Sequence, residues 1–217
     1  MKFIKCTNHS CSNSNPPITL DSADDVGLTS SIAIGTDGLP VISYYDSTNG
    51  NLKLIKCTNI NCNGANNPII LDDAESVGTF SSIAIGTNDL PIISYRDLLN
   101  QNLKVVNCTN VSCSNSSAPI TINSEGNVGA VDSMIIGSDG RPIISYIDSD
   151  SSALKIAKCL SRDCFFTVIF STLDSLIIPG YFTSIGLSND GLPVISYVER
   201  SKGAIKVYSC ADVDCKK

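Results

Sequence analysis

Cysteines are the residues of this chain whose type and spacing most clearly predict chemistry. Ten cysteines occur among its 217 residues, and they fall into five C-x4-C pairs. The pairs are Cys6 with Cys11, Cys57 with Cys62, Cys108 with Cys113, Cys159 with Cys164, and Cys210 with Cys215. One pair supplies only two thiolates, whereas a tetrahedral zinc ion needs four ligands. We therefore predict five local disulfides, no metal site and an oxidising compartment.

Acidic side chains recur at one position of the sequence and could bind a ligand. They are Asp46, Asp97, Asp148 and Glu199, each preceded by a tyrosine two residues earlier and followed by a lysine seven residues later. One interpretation is a structural carboxylate–lysine pair supported by the tyrosine hydroxyl. The alternative is a ring of polar groups on one face that takes a cation or a hydroxyl-rich sugar. The ligand-binding residues predicted by this alternative are Asp46, Asp97, Asp148, Glu199, Tyr45 and Arg96.

Other catalytic and cofactor signals are weak. His9 is the single histidine, so no Ser-His-Asp arrangement is expected, and the chain has no phosphate loop or dinucleotide fingerprint. Asp21, Asp72 and Asp174 stand beside further acids, where a solvated loop is favoured over an oxygen-rich calcium site. No cofactor is predicted. A carboxylate pair for glycoside hydrolysis stays open because acids are plentiful.

The elements that position these residues form an internal repeat. Equivalent cysteines are 51 residues apart throughout, for example Cys6 and Cys57. Each copy reads as four short strands, which in one copy are Ser30–Gly35, Leu39–Asp46, Leu52–Cys57 and Pro68–Asp72. They are rich in Ile, Val and Tyr, with Gly, Asn, Asp and Pro between them. The pattern predicts an all-β fold, a β-propeller with blades of four antiparallel strands, in preference to a β-solenoid with its shorter coils.

The strand count predicts one propeller domain over residues 1–217 with four blades. The blades are expected at residues 31–72, 82–123, 133–171 and 184–209, with residues 17–20 closing the last one. Copies of the third strand occur five times, because Lys2–Cys6 and Ile205–Cys210 both match it. The surplus strand indicates a displaced copy, a segment of a larger array, or two chains that share terminal strands.

Composition limits the partners of the chain. The formal net charge is −6 and basic residues are scattered, so a nucleic-acid partner is not expected. No apolar run is long enough for a transmembrane helix, and the first residues lack the apolar core of a signal peptide. With the predicted disulfides, this favours an extracellular or cell-surface protein whose chain is a mature fragment.

The repeat units also carry a family resemblance. SSIAIGTDGLPVISYYDSTNGNLKLIKC and SSIAIGTNDLPIISYRD resemble repeats of secreted or surface bacterial propellers of uncharacterised function, and are distantly similar to Asp-box and sialidase-type propellers. The resemblance spans nearly the whole chain, but the Trp of an Asp-box is absent and no catalytic residue matches. It implies a propeller fold without implying an activity.

These observations predict a secreted binding or adhesion module whose ligand is a glycan or a surface protein. Two alternatives remain: a glycan-active hydrolase or lyase with its site on the propeller face, and a purely structural repeat domain of a larger surface protein. The lack of recognisable catalytic motifs favours a protein that is not an enzyme. The predicted site is the face where second strands run into third strands and where the Gly-containing links emerge.

Overall fold

The computed structural model describes residues 1–175, 179–199 and 202–216, and these residues form β-strands without an α-helix. The strands are β1 (Lys2–Phe3), β2 (Ile18–Thr19), β3 (Val26–Ile34), β4 (Pro40–Asp46), β5 (Asn51–Lys56), β6 (Ile69–Asp72), β7 (Val77–Ile85), β8 (Pro91–Asp97), β9 (Asn102–Asn107), β10 (Ile120–Asn123), β11 (Ala130–Ile136), β12 (Pro142–Asp148), β13 (Ala153–Cys159), β14 (Val168–Asp174), β15 (Pro179–Leu187), β16 (Pro193–Glu199) and β17 (Ala204–Ser209).

The strands form five antiparallel sheets in chain order. Three are four-stranded, β3-β4-β5-β6, β7-β8-β9-β10 and β11-β12-β13-β14, and they follow the predicted strand order of a blade. A two-stranded sheet, β1-β2, precedes them, and a three-stranded sheet, β15-β16-β17, follows. The all-β class and the four-stranded antiparallel units are therefore confirmed.

Successive sheets stack face to face, with the first strand of each against the sheet before it. We call the contact of the β3–β6 sheet with the β7–β10 sheet the first interface, that of β7–β10 with β11–β14 the second, and that of β11–β14 with β15–β17 the third. Each interface holds one apolar cluster. The second strands β8 and β12 are buried along their whole length because both of their faces are covered.

A glycine-based irregularity brings the first strand β7 close to the preceding sheet. Gly78 has φ +103°, and a Cβ at this position would lie 2.6 Å from the Leu52 Cα of the preceding sheet. The ladder between β7 and β8 shifts register on both sides of Thr79, and Phe80 has a positive φ of 55°. Only glycine allows this close approach without strain.

The N-terminal strands pair locally. Residues 17–20 were expected to close the sheet at 184–209, of which residues 200 and 201 lie outside the described part. In the structure Ile18–Thr19 pair instead with Lys2–Phe3, and the three-stranded sheet takes no fourth strand from the described residues. A single disulfide loop joins β1 to β2, so this pairing has a small loop-closure cost. Closure into a ring of four blades stays a prediction.

The five predicted disulfides are present. Each joins cysteines five residues apart, with Cα–Cα distances of 4.8–5.0 Å. The second cysteine of each pair has positive φ, as at Cys62 (φ 51°), so each bridge closes a tight loop after a third strand. Disulfides persist in oxidising compartments, which agrees with an extracellular environment. Among the described residues, no helix has the length and apolarity needed to cross a membrane.

Candidate functional site

The predicted acids lie buried beneath the turns that join second to third strands. Asp46, Asp97, Asp148 and Glu199 are at most 5% exposed. Asp46 Oδ1 accepts hydrogen bonds from the backbone N–H groups of Thr48 and Asn49 at 3.2 and 3.1 Å, and its Oδ2 accepts one from Lys53 at 3.3 Å. The oxygens of Asp46 are therefore already engaged within the chain.

The equivalent acids close their own turns. Asp97 accepts bonds from the backbone and side-chain nitrogens of Asn100 at 2.8 and 2.9 Å. Asp148 pairs with Lys155 at 2.6 Å, and Glu199 pairs with Lys206 at 2.5 Å. These contacts match the structural interpretation of the acid–lysine pattern. A ligand role for the four acids stays a prediction, and it would require these bonds to be exchanged.

The pKa values of these acids agree with internal pairing. Burial by itself would raise the pKa of Asp46, but hydrogen bonds from Asn49 and Lys53 outweigh it and hold the pKa below its ordinary value. The pKa of Asp148 is also lowered, because hydrogen bonds from Lys155 and Ser151 outweigh the effect of its burial. Both carboxylates are thus stabilised in their charged form.

The repeated tyrosines tie each sheet to the one before it. Tyr95 donates a hydrogen bond of 2.6 Å to Asp72, the acid that ends the preceding fourth strand, and Lys104 pairs with the same oxygen at 2.6 Å. Tyr44 with Asp21 and Tyr197 with Asp174 repeat the arrangement. These acids, which the calcium hypothesis used, therefore bind a tyrosine and a lysine. The described residues contain no group of three or more His, Cys, Asp or Glu side chains placed to hold a metal ion.

Arg96 differs from the other predicted site residues because its charge has no counter-ion among the described residues. It is 8% exposed, and its Nη2 donates a bond of 2.6 Å to the side-chain oxygen of Asn127 in the next repeat. Its Nε has no hydrogen-bond partner among the described residues, and neither has the hydroxyl of Thr79, which lies directly across the strand pair. Tyr45, the equivalent of Arg96 in the previous repeat, is half-buried. Arg96 thus enters the second interface as a buried cation.

A second unusual group lies in the same interface. Serines of the second strands form a ladder across the interfaces: Ser43 bonds Ser81 at 2.9 Å in the first, and Ser145 bonds Thr183 at 3.0 Å in the third. In the second interface Ser94 bonds Asp132 Oδ2 instead. The other oxygen of Asp132, Oδ1, has no partner in the part of the chain that the structure describes.

Burial shifts both charged groups toward their neutral forms. Desolvation raises the pKa of Asp132 well above its ordinary value, and the bond from Ser94 does not offset it. Desolvation lowers the pKa of Arg96. The pKa of Asp132 is therefore shifted in the opposite direction to the pKa values of Asp46 and Asp148. The raised pKa favours the protonated carboxyl at Asp132, a form that can both donate and accept a hydrogen bond.

The second interface thus gathers unsatisfied polar atoms of complementary kinds. An Arg N–H, a Thr hydroxyl and a carboxyl oxygen lie on facing surfaces of two sheets, and Ser94 and Arg96 share one face of β8 because they are two residues apart. We call Thr79, Ser94, Arg96, Asn127 and Asp132 the polar row. A ligand with hydroxyl groups could complete its hydrogen bonds.

Sequence reasoning selected Arg96 but missed Asp132, Thr79 and Asn127. The missed signal is a departure from the repeat at positions that face the next or the previous sheet. Asp132 stands where other copies have Ser30, Ser81 and Thr183, and Arg96 stands where they have Tyr45, Ile147 and Val198. Comparing copies for buried positions that become charged would have found both.

Comparisons with known proteins show the fold and leave the function open. No family model matches the chain, and no curated protein matches it. The solved structures similar to it include a protein of unknown function from Dyadobacter fermentans (TM-score 0.63, 12% identity, 85% of this chain and 62% of that one). A thermostable family-43 glycoside hydrolase has a TM-score of 0.53 at 10% identity, covering 87% of this chain and 70% of that one. A GH43_1 enzyme from Xanthomonas citri has 0.50 at 13% identity, covering 83% and 67%.

These similarities establish a propeller-like, all-β architecture. The chain spans 62% of the length of the Dyadobacter protein, so it matches part of that structure. At identities of 10–13% the likeness reports backbone arrangement alone. The fold is therefore one that is also found in carbohydrate-active proteins.

Proposed function

We propose that the protein is a secreted carbohydrate-binding module, and that the polar row of the second interface supplies its binding site. The observation that supports this most directly is the set of three unsatisfied, nine-tenths buried polar atoms, Thr79 Oγ1, Arg96 Nε and Asp132 Oδ1, at one sheet-to-sheet contact. Leaving such groups unpaired costs about 1–3 kcal/mol each. A cost of that kind is expected where a ligand completes the bonds.

The chemistry of the row favours a sugar over other ligands. Arg96 Nε can only donate, the Asp132 carboxyl can accept, and the Thr79 hydroxyl can do both. Neighbouring hydroxyl groups of a sugar provide matching acceptors and donors. A nucleic acid is disfavoured by the net charge of −6. The glycoside hydrolases among the solved structures with this fold support the same ligand class.

A ligand would have to reach this site through the links at the ends of the strands, because the polar atoms of the row are buried. Asn127, which accepts the Arg96 bond, lies in the link that leads into β11, and its backbone N–H bonds the side chain of Asp150 at 3.0 Å. The link is therefore held by contacts that can be exchanged without unfolding a strand. Loops on a rigid sheet scaffold commonly form binding sites.

A printed array of neutral and acidic oligosaccharides tests the proposal, followed by calorimetric titration of any glycan that binds. Arg96→Ile and Asp132→Ser, which install residues from other copies of the repeat, are expected to weaken binding at least tenfold. Arg141→Gln is the matched control, because Arg141 is an exposed arginine outside the row. Binding that survives both row variants would contradict the proposed site.

The same experiment separates the alternatives. Release of reducing sugar from a bound oligosaccharide would replace the binding module with a glycan hydrolase in which Asp132, with its raised pKa, is the candidate proton donor. No binding to any glycan, together with unchanged stability in the row variants, would favour a purely structural repeat domain.

A further inference from the structure

The last sheet exposes apolar side chains on a face that the same repeat position buries elsewhere. On β17, Ile205 is 80% exposed and Val207 is 65% exposed, and Phe182 on β15 is 68% exposed. The repeat equivalents of Ile205 and Val207 are all 0% exposed; they are Leu52, Leu103 and Leu154, and Leu54, Val105 and Ile156. We call this the tail face. A shallow groove of about 160 Å³ on it is lined by Phe182, Val198 and Ile205, among others.

The first four-stranded sheet has a complementary defect. On β3, Ile32 is 53% exposed and Ile34 is 59% exposed, although the equivalents of Ile32 (Ile83, Met134 and Ile185) are at most 8% exposed. The small β1-β2 sheet lies beside this surface, where Phe3 and Ile32 line the same two grooves, and it leaves both isoleucines exposed. Ile4 on its edge, at 56% exposed, faces a groove of about 430 Å³ that Ile32 and Ile34 also line. We call this the head face.

The internal interfaces show what each exposed face is built to contact. In the first interface, Leu52 and Leu54 belong to one apolar cluster with Ile83 and Ile85. Ile205 and Val207 are the repeat equivalents of these leucines. Ile32 and Ile34 are the equivalents of the isoleucines. The tail face and the head face are thus the two halves of an interface that the chain forms three times internally.

We propose that copies of this chain associate head to tail, the tail face of one copy packing on the head face of the next as successive sheets do within the chain. The occupant of each face is therefore a second copy. Because the two faces differ, the contact is heterologous and can add further copies until a ring closes. Burial of large apolar side chains supplies the driving force, and exposed patches of this kind commonly mark interfaces.

The β1-β2 sheet decides the geometry of the contact. β1 and β17 are copies of the same third strand, so both cannot occupy the third-strand position against one head face. β17 pairs with β16 along six residues, whereas β1 pairs with β2 along two. The smaller β1-β2 sheet is therefore the part that moves aside.

Sedimentation velocity over a concentration series, from about 1 μM to 1 mM, tests the association with the whole chain. Native protein is expected to gain mass with concentration beyond the dimer. A tail variant (Ile205→Lys with Val207→Lys) and a head variant (Ile32→Lys with Ile34→Lys) are each expected to stay monomeric. The four side chains are exposed, so the monomer fold is retained.

Mixing the two variants gives the sharpest result. Each retains one intact face, so an equimolar mixture is expected to form a dimer and nothing larger, with the affinity of one native contact. A control variant, Phe165→Lys with Phe166→Lys, changes an exposed aromatic pair that follows the Cys159–Cys164 disulfide and lines neither groove, and it is expected to associate as the native chain does. A native chain that stays monomeric throughout, or a mixture without dimer, would overturn the proposal.

Discussion

At the same repeat positions, the first and second interfaces bury different side chains. The first contains the Ser43–Ser81 hydrogen bond and the half-buried Tyr45, whereas the second contains the Ser94–Asp132 bond and the buried Arg96. Apolar clusters of similar composition surround both. The repeated scaffold thus accommodates a buried arginine and a buried carboxyl at one interface without losing the stacking of its sheets.

The difference indicates where stability and function separate in a repeat protein. The bond of Tyr95 to Asp72 recurs at Tyr44 with Asp21 and joins successive sheets, whereas an ionisable residue at a buried ladder position has a cost that the neighbouring interface avoids. A residue that lowers folding stability in one copy only is expected at a specialised site. Exchanging these features between interfaces by substitution separates their effects on stability.

The largest effect is expected from placing the unusual acid in the ordinary interface. Ser81→Asp would bury a carboxyl in the first interface, where the Ser43 hydroxyl is its hydrogen-bond partner and Tyr45 replaces Arg96. We expect a loss of about 3 kcal/mol in the free energy of unfolding at neutral pH. Urea denaturation measures it. Ser81→Thr, the residue type of the third interface, is the control and should cost less than about 1 kcal/mol.

The sequence predicted most of the scaffold, because its signals are local and repeated. Short strands between turn residues predicted the four-stranded units, and the C-x4-C spacing predicted disulfides such as Cys57–Cys62. The acid–lysine pairs also follow from the hairpin, as Lys155 with Asp148 shows. These features depend on residues less than ten positions apart or on the period itself.

Long-range features were less accessible to sequence reasoning. Two equivalent third strands, β1 and β17, are available to pair with β2, and the sequence pattern alone does not decide between them. Asp132 is 38 residues from Ser94 in the sequence, so its burial depends on the packing of two sheets and no local pattern indicates it. The repeat pattern places Arg96 on the predicted face, but it does not show that the buried guanidinium has no counter-ion among the described residues.

A smaller effect of opposite sign is expected from removing the buried cation. Arg96→Ile installs the residue type of the third interface, where Ile147 packs in the apolar cluster. Replacing a buried ion by an apolar side chain is often stabilising, here by about 1–2 kcal/mol. Thermal and urea unfolding of the variant and the native protein measure the gain. A clear loss of stability would mean that the Asn127 bond outweighs the desolvation of the guanidinium.

A pH-dependent difference should identify Asp132 as the other costly group. Its folded-state pKa is raised, so the folded state binds more protons than the unfolded state above the ordinary carboxyl pKa. Its contribution to stability is therefore full at acid pH and decreases as the pH rises through the ordinary value toward the folded one. Asp132→Asn removes this dependence, so the variant should gain stability over native protein as the pH increases from about 4 to 7, by about 1–2 kcal/mol.

The control for that measurement has the opposite slope. Asp148 has a lowered pKa, so its contribution is present at neutral pH and is lost as the pH falls through the folded value. Asp148→Asn should therefore be less stable than native protein at neutral pH, and the difference should shrink in acid. Equal slopes for the two variants would contradict the assignment of opposite pKa shifts.

The smallest expected effect compares two threonines that differ in their hydrogen bonds. Thr79 in the second interface has a buried hydroxyl without a partner, whereas Thr183 in the third bonds the Ser145 hydroxyl and the Val131 carbonyl, both at 3.0 Å. Thr→Val keeps the shape of the side chain and removes the hydroxyl. Thr79→Val should be neutral or stabilising by up to about 1 kcal/mol, and Thr183→Val should be destabilising by about 1 kcal/mol because it breaks the ladder. If Thr79→Val also lowers the affinity for a glycan that the native protein binds, the hydroxyl is held unpaired for the ligand; equal destabilisation by both substitutions would show that Thr79 has a partner in solution and would remove it from the polar row.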